Sequence, residues 1–176
     1  MKKTLLSLAI ASLAAGQSVC AAVEKVYNEP DSVYIFSYAH PEDEGRSGLK
    51  FAWSPDGDKW LSVSDGFAYL KCDFGRWGAE KRMIKPLLEK AEDGRWYCRW
   101  QLTPSGKVWG TSHSSDLLKW APQQYVNAEK PAVPRLVTAR QIVLDKDTLN
   151  GYMQKVPYAD IEQLIRFAEH KKFRDI

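Results

Sequence analysis

Two carboxylates stand at matched positions in a phrase that the chain uses twice. The copies are Ser54-Pro55-Asp56-Gly57-Asp58-Lys59-Trp60 and Ser114-Ser115-Asp116-Leu117-Leu118-Lys119-Trp120, and Trp60 and Trp120 mark a period of 60 residues. Asp56 and Asp116 are the first residues to test for acid–base chemistry. Turn chemistry explains them as well: an Asp beside Pro or Gly can accept hydrogen bonds from the backbone just ahead of it, and Gly accepts positive φ. Ser54, Asp56, Trp60, Ser114, Asp116 and Trp120 therefore read as a structural repeat. His113 with Asp116 and Ser112 or Ser114 has the composition of a hydrolytic set, yet residues this close in one turn point in different directions. Asp73, Glu80, Glu89, Glu92 and Asp93 have no spacing that singles out an acid–base pair. Cys72 and Cys98 either pair as a disulfide in an exported chain or remain two buried thiols. No Cys/His spacing suggests a metal site, and no cofactor is expected.

These residues need a β framework. Val33 to Tyr38 is a β-branched and aromatic run bounded by Pro30-Asp31 and His40-Pro41. Leu49 to Ser54 and Trp60 to Val63 form a hairpin around the first phrase, with another turn at Ser64-Asp65-Gly66. Trp96 to Leu102 and Val108 to Ser112 repeat the arrangement, and alternation places Trp96, Cys98, Trp100 and Leu102 on one face. Tyr34 to Tyr38 corresponds to Trp96 to Trp100. A repeated unit of this size buries its faces against its copy.

Between the units, Phe67 to Pro86 is irregular. Asp73-Phe74-Gly75-Arg76-Trp77-Gly78 reads as a surface loop pinned by buried Phe74 and Trp77, or as a loop that holds a ligand. Glu89 to Gly94 reads as a turn. Past Asn127, residues 128–176 read as a linker and a C-terminal amphipathic helix, with Arg135 to Leu144 able to form one more strand. Pro157 suits a first helical turn, and Ile161, Leu164, Ile165 and Ala168 share one face. Such a helix suits docking to a further catalytic domain or subunit.

Composition narrows the class. Hydrophobic residues make up 44% and charged residues 27%, as in soluble globular chains. A net charge of +3 without a basic run argues against nucleic acid. Seven Trp and eight Tyr supply flat apolar faces for a β core or for stacking on sugars. Met1-Lys2-Lys3, the apolar stretch Leu5 to Ala15 and the small residues after it predict a signal peptide over 1–22. Cys20 as a lipid acceptor is the alternative, against which Val19 is large for a lipidation site. No second apolar run follows, so no transmembrane segment is expected.

The first unit, Tyr34 to Tyr38 followed by Gly48 to Trp60, resembles the first blade of glycoside hydrolase family 43, a five-bladed β-propeller family of arabinofuranosidases and xylosidases. Ser114 to Trp120 resembles the next blade, and the resemblance spans Val33 to Val126. The tail from Val156-Pro157-Tyr158 resembles the segment that joins such a module to a larger arabinofuranosidase domain. The implied fold is mainly β: two propeller-like antiparallel units over 23–127 and a short C-terminal helix.

The implied chemistry is inverting hydrolysis by two carboxylates, with a third that positions the acid. The family's general-base Asp sits in an Arg-Asp-Pro segment. The matching segment is Arg82-Met83-Ile84-Lys85-Pro86, so Lys85 occupies the base position, and the later blades that carry the other acids are absent. The resemblance therefore implies an exported, periplasmic or extracellular module, non-catalytic on its own, that binds arabinose- or xylose-containing plant polysaccharide. Trp77, Trp100 and Trp109 are its stacking candidates, and Arg82 and His113 its hydroxyl ligands. The alternatives are an active hydrolase within a longer chain and a protein-docking module.

Overall fold

In a computed structural model, which describes residues 30–63, 66–104 and 106–174, the strand-forming runs assemble into two antiparallel sheets. The signal peptide, Cys20 and the lead-in to residue 29 lie outside the described residues, as does most of the turn at 64–66. The first sheet contains β1 (Ser32–Tyr38), β2 (Lys50–Ser54) and β3 (Leu61–Ser62). It is completed by β8 (Val137–Leu144) and β9 (Asp147–Pro157), in the order β3-β2-β1-β9-β8. The second sheet is a meander of β4 (Ile84–Lys90), β5 (Trp96–Gln101), β6 (Val108–Ser114) and β7 (Gln124–Asn127). One helix, α1 (Glu162–Arg174), follows. The chain is thus mainly β, with two antiparallel sheets that do not close and a short C-terminal helix, as the sequence predicts.

The main core lies where the two sheets and α1 meet. Val33, Ile35 and Phe51 pack there with Leu88, Trp96, Cys98 and Trp100, with Ile161 just before the helix, and with Leu164, Ile165 and Ala168 of the helix. The strict alternation of β5 follows from having one buried face. β1 is central in its sheet and is covered on both sides. Its opposite face, with Phe36 and Tyr38, carries a second cluster closed by Ile142, Leu144 and Leu149 of the β8–β9 hairpin.

The tail departs from the expected linker and docking helix. β9 pairs with the whole length of β1, from Ser32 opposite Pro157 to Tyr38 opposite Gly151. The turn into β9 has positive φ at both Asp145 and Lys146, the backbone of a type I′ hairpin whose twist matches its strands. The helix keeps the expected apolar face, but that face is consumed within the core. Pro157 closes β9 instead of opening α1, and a short 3-10 turn at Tyr158–Asp160 lies between them. Glu89 and Lys90 belong to β4, so the turn there begins at Ala91.

The repeated phrase folds twice in the same way. Ser54 Oγ donates to the Asp56 carboxylate at 2.9 Å and accepts from the Gly57 amide at 2.8 Å. Asp56 also accepts from the Asp58 and Lys59 amides at 2.8 and 2.9 Å. Ser114 and Asp116 repeat these bonds to Leu117, Leu118 and Lys119 at 2.9, 2.9 and 2.8 Å. Both aspartates are turn acceptors. The Lys59 and Asp58 amides, then the Ser54 hydroxyl, push the Asp56 carboxyl down to about 2. At Asp116 burial works against ionisation, but the Lys119 and Leu118 amides and the Ser114 hydroxyl outweigh it, so its pKa is also lowered.

An Asp in the unfolded chain titrates near ~3.9. Both groups therefore bind fewer protons in the folded state. Their contribution is present above about pH 4 and fades as pH falls through the folded value. The double variant Asp56→Asn/Asp116→Asn should keep the turns, because Asn can also bond its own backbone, and should flatten the loss of stability between about pH 4 and pH 2. Urea midpoints measured across that range test this. An acid limb as steep as that of the parent chain would count against it.

Candidate functional site

A groove of about 360 Å³ runs along the β2–β3 edge of the first sheet. Its walls come from three distant parts of the chain: Trp53, Trp60 and Leu61 from the first hairpin, Asp145 from the β8–β9 turn, and Ile165 and Glu169 from α1. The hairpin positions both indoles. Trp53 is paired with Leu61 across the ladder, and its ring lies 6.3 Å from that of Tyr158. Trp60 folds back over β1, with its ring 5.5 Å from that of Phe36. Both indoles are half-buried, Trp53 against the main core and Trp60 against the second cluster, and Leu61 is half-exposed. β3 is only two residues long, so this edge stays open.

The groove adjoins a smaller polar recess of about 190 Å³, and the two share Ser62 and Asp145. Tyr38, His40, Lys50 and Asp147 complete the recess. Burial pushes the Tyr38 hydroxyl up to about 12, with smaller contributions from Ser62, which opposes the shift, and from the Asp145 and Asp147 charges, which add to it. Tyr38 therefore remains a protonated donor at neutral pH. Aromatic faces beside hydroxyl, carboxylate and ammonium groups form a surface that can hold a polyhydroxylated ring. No cluster of His, Cys, Asp or Glu suited to a metal occurs among the described residues.

The five residues selected from sequence lie elsewhere. Trp100 is fully buried and Trp109 is 6% exposed, so neither offers a ring face to a ligand. Both are buried on strands of the second sheet, where Trp100 pairs with Gly110 and Gln101 with Trp109, and Trp100 packs into the main core. Trp77 is 71% exposed on the loop before β4, where its amide donates to Glu80 at 3.1 Å. Phe74 rests on Tyr125, with ring centroids 4.8 Å apart, yet neither Phe74 nor Trp77 is buried as the sequence reading expects. Arg82 pairs with Glu44 at 2.9 Å. His113 packs against Tyr97 on the second sheet, with rings 5.7 Å apart. None of the five lines the groove or the recess.

The remaining candidates have structural roles. Ser112 Oγ donates to the Ala121 carbonyl at 2.7 Å, and Ser114 and Asp116 are occupied in their turn, so no hydrolytic set forms around His113. Cys72 and Cys98 are both free and buried. Burial pushes the Cys98 thiol up, while the Cys72 sulfur lies 3.5 Å from the Tyr125 hydroxyl.

No family model, curated protein or solved structure matches this chain. The groove is therefore judged on its own residues. Sequence reading passed over Trp53, Asp145 and Glu169. The available signal was the pair of indoles seven residues apart across one tight turn, which a two-residue return strand leaves on an open edge.

Proposed function

We propose that this chain is an exported carbohydrate-binding module, non-catalytic on its own, and that the Trp53–Trp60 groove holds its ligand. The observation that carries this reading is that two half-buried indoles share an open groove with Ser62, Asp145 and Glu169 and border a polar recess. A sugar ring has an apolar face that stacks on an indole and a rim of hydroxyls that need polar partners. The signal-peptide pattern supports export. The resemblance to family 43 supplies the ligand class, a plant polysaccharide rich in arabinose or xylose.

The non-catalytic part rests on chemistry. Lys85 stands where the resemblance expects the carboxylate base, and a lysine ammonium cannot accept a proton from water. The described carboxyls with shifted titration, Asp43, Asp56, Asp93 and Asp116, are all pushed down. A general acid needs the opposite shift.

Affinity electrophoresis on arabinan, arabinoxylan and cellulose, with product analysis of the same samples, tests the proposal. The parent chain should be retarded by the arabinose- or xylose-containing polymers without releasing sugar. Trp53→Ala should weaken retardation about tenfold, as expected for losing roughly 1.4 kcal/mol of stacking. Asp145→Asn should weaken it with no change in Tm, since Asn tolerates the positive φ at that turn. Free migration of the folded parent chain on all three polymers would sink the binding reading, and released sugar would sink the non-catalytic one.

A further inference from the structure

A second cleft, of about 540 Å³, lies where β4 meets the β8–β9 hairpin, and it shares no lining residue with the aromatic groove. Two lysines line it, Lys85 from β4 and Lys130 from the segment before β8, while Arg140 of β8 only borders it, because strand alternation puts its guanidinium on the other face of the sheet with Met153. Gln141, Asn150 and Tyr152 add two amides and a phenol. No carboxylate is in the lining. Asp58, an exposed residue, pairs with the Arg140 guanidinium at 3.5 Å. Arg140 also approaches the Met153 sulfur at 3.6 Å, and Gln141 donates to Asn150 at 3.2 Å. Lys85 and Lys130 make no ion pair among the described residues.

The placement of Lys85 is costly. The β4–β5 register breaks between Ile84 and Leu87, so Lys85 and Pro86 form a bulge. Lys85 sits at φ 50 there, in the left-handed region that favours glycine, and directly before a proline that further narrows its backbone. The bulge is held from behind, because buried Ser37 Oγ donates to the Pro86 carbonyl at 3.0 Å. A bulge re-aims a side chain, and strain of this kind persists only where the surroundings enforce it. What it re-aims is an exposed ammonium, into a cleft that already holds the like charge of Lys130.

We propose that this cleft binds a hydroxylated oxyanion, a sugar acid or a sugar phosphate. Two lysines without a lining carboxylate select negative charge, and their ammonium groups donate charge-assisted hydrogen bonds to carboxylate or phosphate oxygens. The amides and the Tyr152 hydroxyl are partners for sugar hydroxyls. The volume falls in the range of small-molecule sites and exceeds what a bare inorganic ion fills.

Calorimetry on the full chain at low salt tests this with four probes: a galacturonate trimer, glucose 6-phosphate, inorganic phosphate and a neutral arabinose trimer. The galacturonate trimer, the sugar phosphate or both should bind more tightly than inorganic phosphate, with affinity falling as salt rises. Which of the two binds identifies the source of the anion. Lys85→Gly should weaken that binding at least tenfold without lowering Tm, because glycine adopts the strained φ freely. Lys130→Gln should weaken it as well, whereas Arg140→Gln and Trp53→Ala should leave it intact. Absence of binding by both hydroxylated anions would overturn the proposal. So would inorganic phosphate binding as tightly as they do, or affinity unchanged in Lys85→Gly. Because Trp53→Ala and Lys85→Gly act on separate clefts, failure of the anion site leaves the neutral-polysaccharide reading standing, and the reverse also holds.

Discussion

Gly110→Ala should destabilise the chain by about 1–3 kcal/mol, and removing Trp100 should erase most of that cost. Gly110 lies opposite Trp100 in the β5–β6 ladder, and a Cβ at 110 would collide with the six-membered ring and nitrogen of that indole. Trp100 is fully buried at the junction of the sheets, so it cannot retreat. Trp100→Ala alone should cost about 3–5 kcal/mol, a large share of the roughly 5–15 kcal/mol of a whole domain. In the double variant the new methyl enters the cavity left by the indole, so the two losses should not add. Urea unfolding of the four chains measures the coupling directly. Simple additivity would mean that the indole can move aside and that Gly110 is not what holds it. Trp100→Phe is the useful companion. The Trp100 Nε1 has no hydrogen-bond partner among the described residues, so phenylalanine keeps most of the apolar burial and removes an orphaned donor. It should cost far less than Trp100→Ala.

That pair also shows where sequence reading stops. The alternation of Trp96, Cys98, Trp100 and Leu102 is legible because β5 buries one face, and a period of two records it. The repeated turns are legible for a more local reason: Ser54 and Asp56, and Ser114 and Asp116, make the turn with their own side chains. Composition alone does not say which face of a strand meets a partner sheet. Trp77, Trp100 and Trp109 are chemically equal in the sequence, yet one is open to solvent and two are packed away.

β9 was illegible for a different reason. Asn150, Gly151 and Lys155 are poor strand formers, and the strand exists because β1, more than a hundred residues earlier, pairs with residues 151–157 and β8 with the rest. Gly151 is there for clearance, since a Cβ would strike the Ser37 carbonyl and the Phe36 ring. Both clefts inherit this difficulty. Trp53, Asp145 and Glu169 are neighbours only after the tail has folded back, as are Lys85 and Lys130.

The second large effect concerns Leu117, where the two copies of the phrase diverge. Gly57 and Leu117 occupy the same place in their turns, each donating its amide to the Ser hydroxyl three residues before, and both have positive φ, 85 and 63. Glycine takes that backbone freely, whereas leucine pays roughly 1–2 kcal/mol. The side chain of Leu117 is the compensation: it is fully buried in the main core. In the first copy that space is not available, because the Tyr34 ring lies 3.3 Å from where a Cβ on Gly57 would be. Leu117→Ala should therefore cost about 2–5 kcal/mol, since it loses the burial and keeps most of the strain. Leu117→Gly loses the same contacts but releases the strain, so it should be the milder change by about 1 kcal/mol. At most positions the order would be reversed, because glycine also loosens the unfolded chain. Urea midpoints of the two variants decide the matter, and a less stable glycine variant would show that the turn stores no strain. The expected order separates two uses of one phrase. In the second copy the turn delivers Leu117 inward, and Trp120 closes it by donating its Nε1 to the Leu117 carbonyl at 3.2 Å. In the first copy the turn sends nothing inward at Gly57, and its Trp60 lines the open groove beside Trp53.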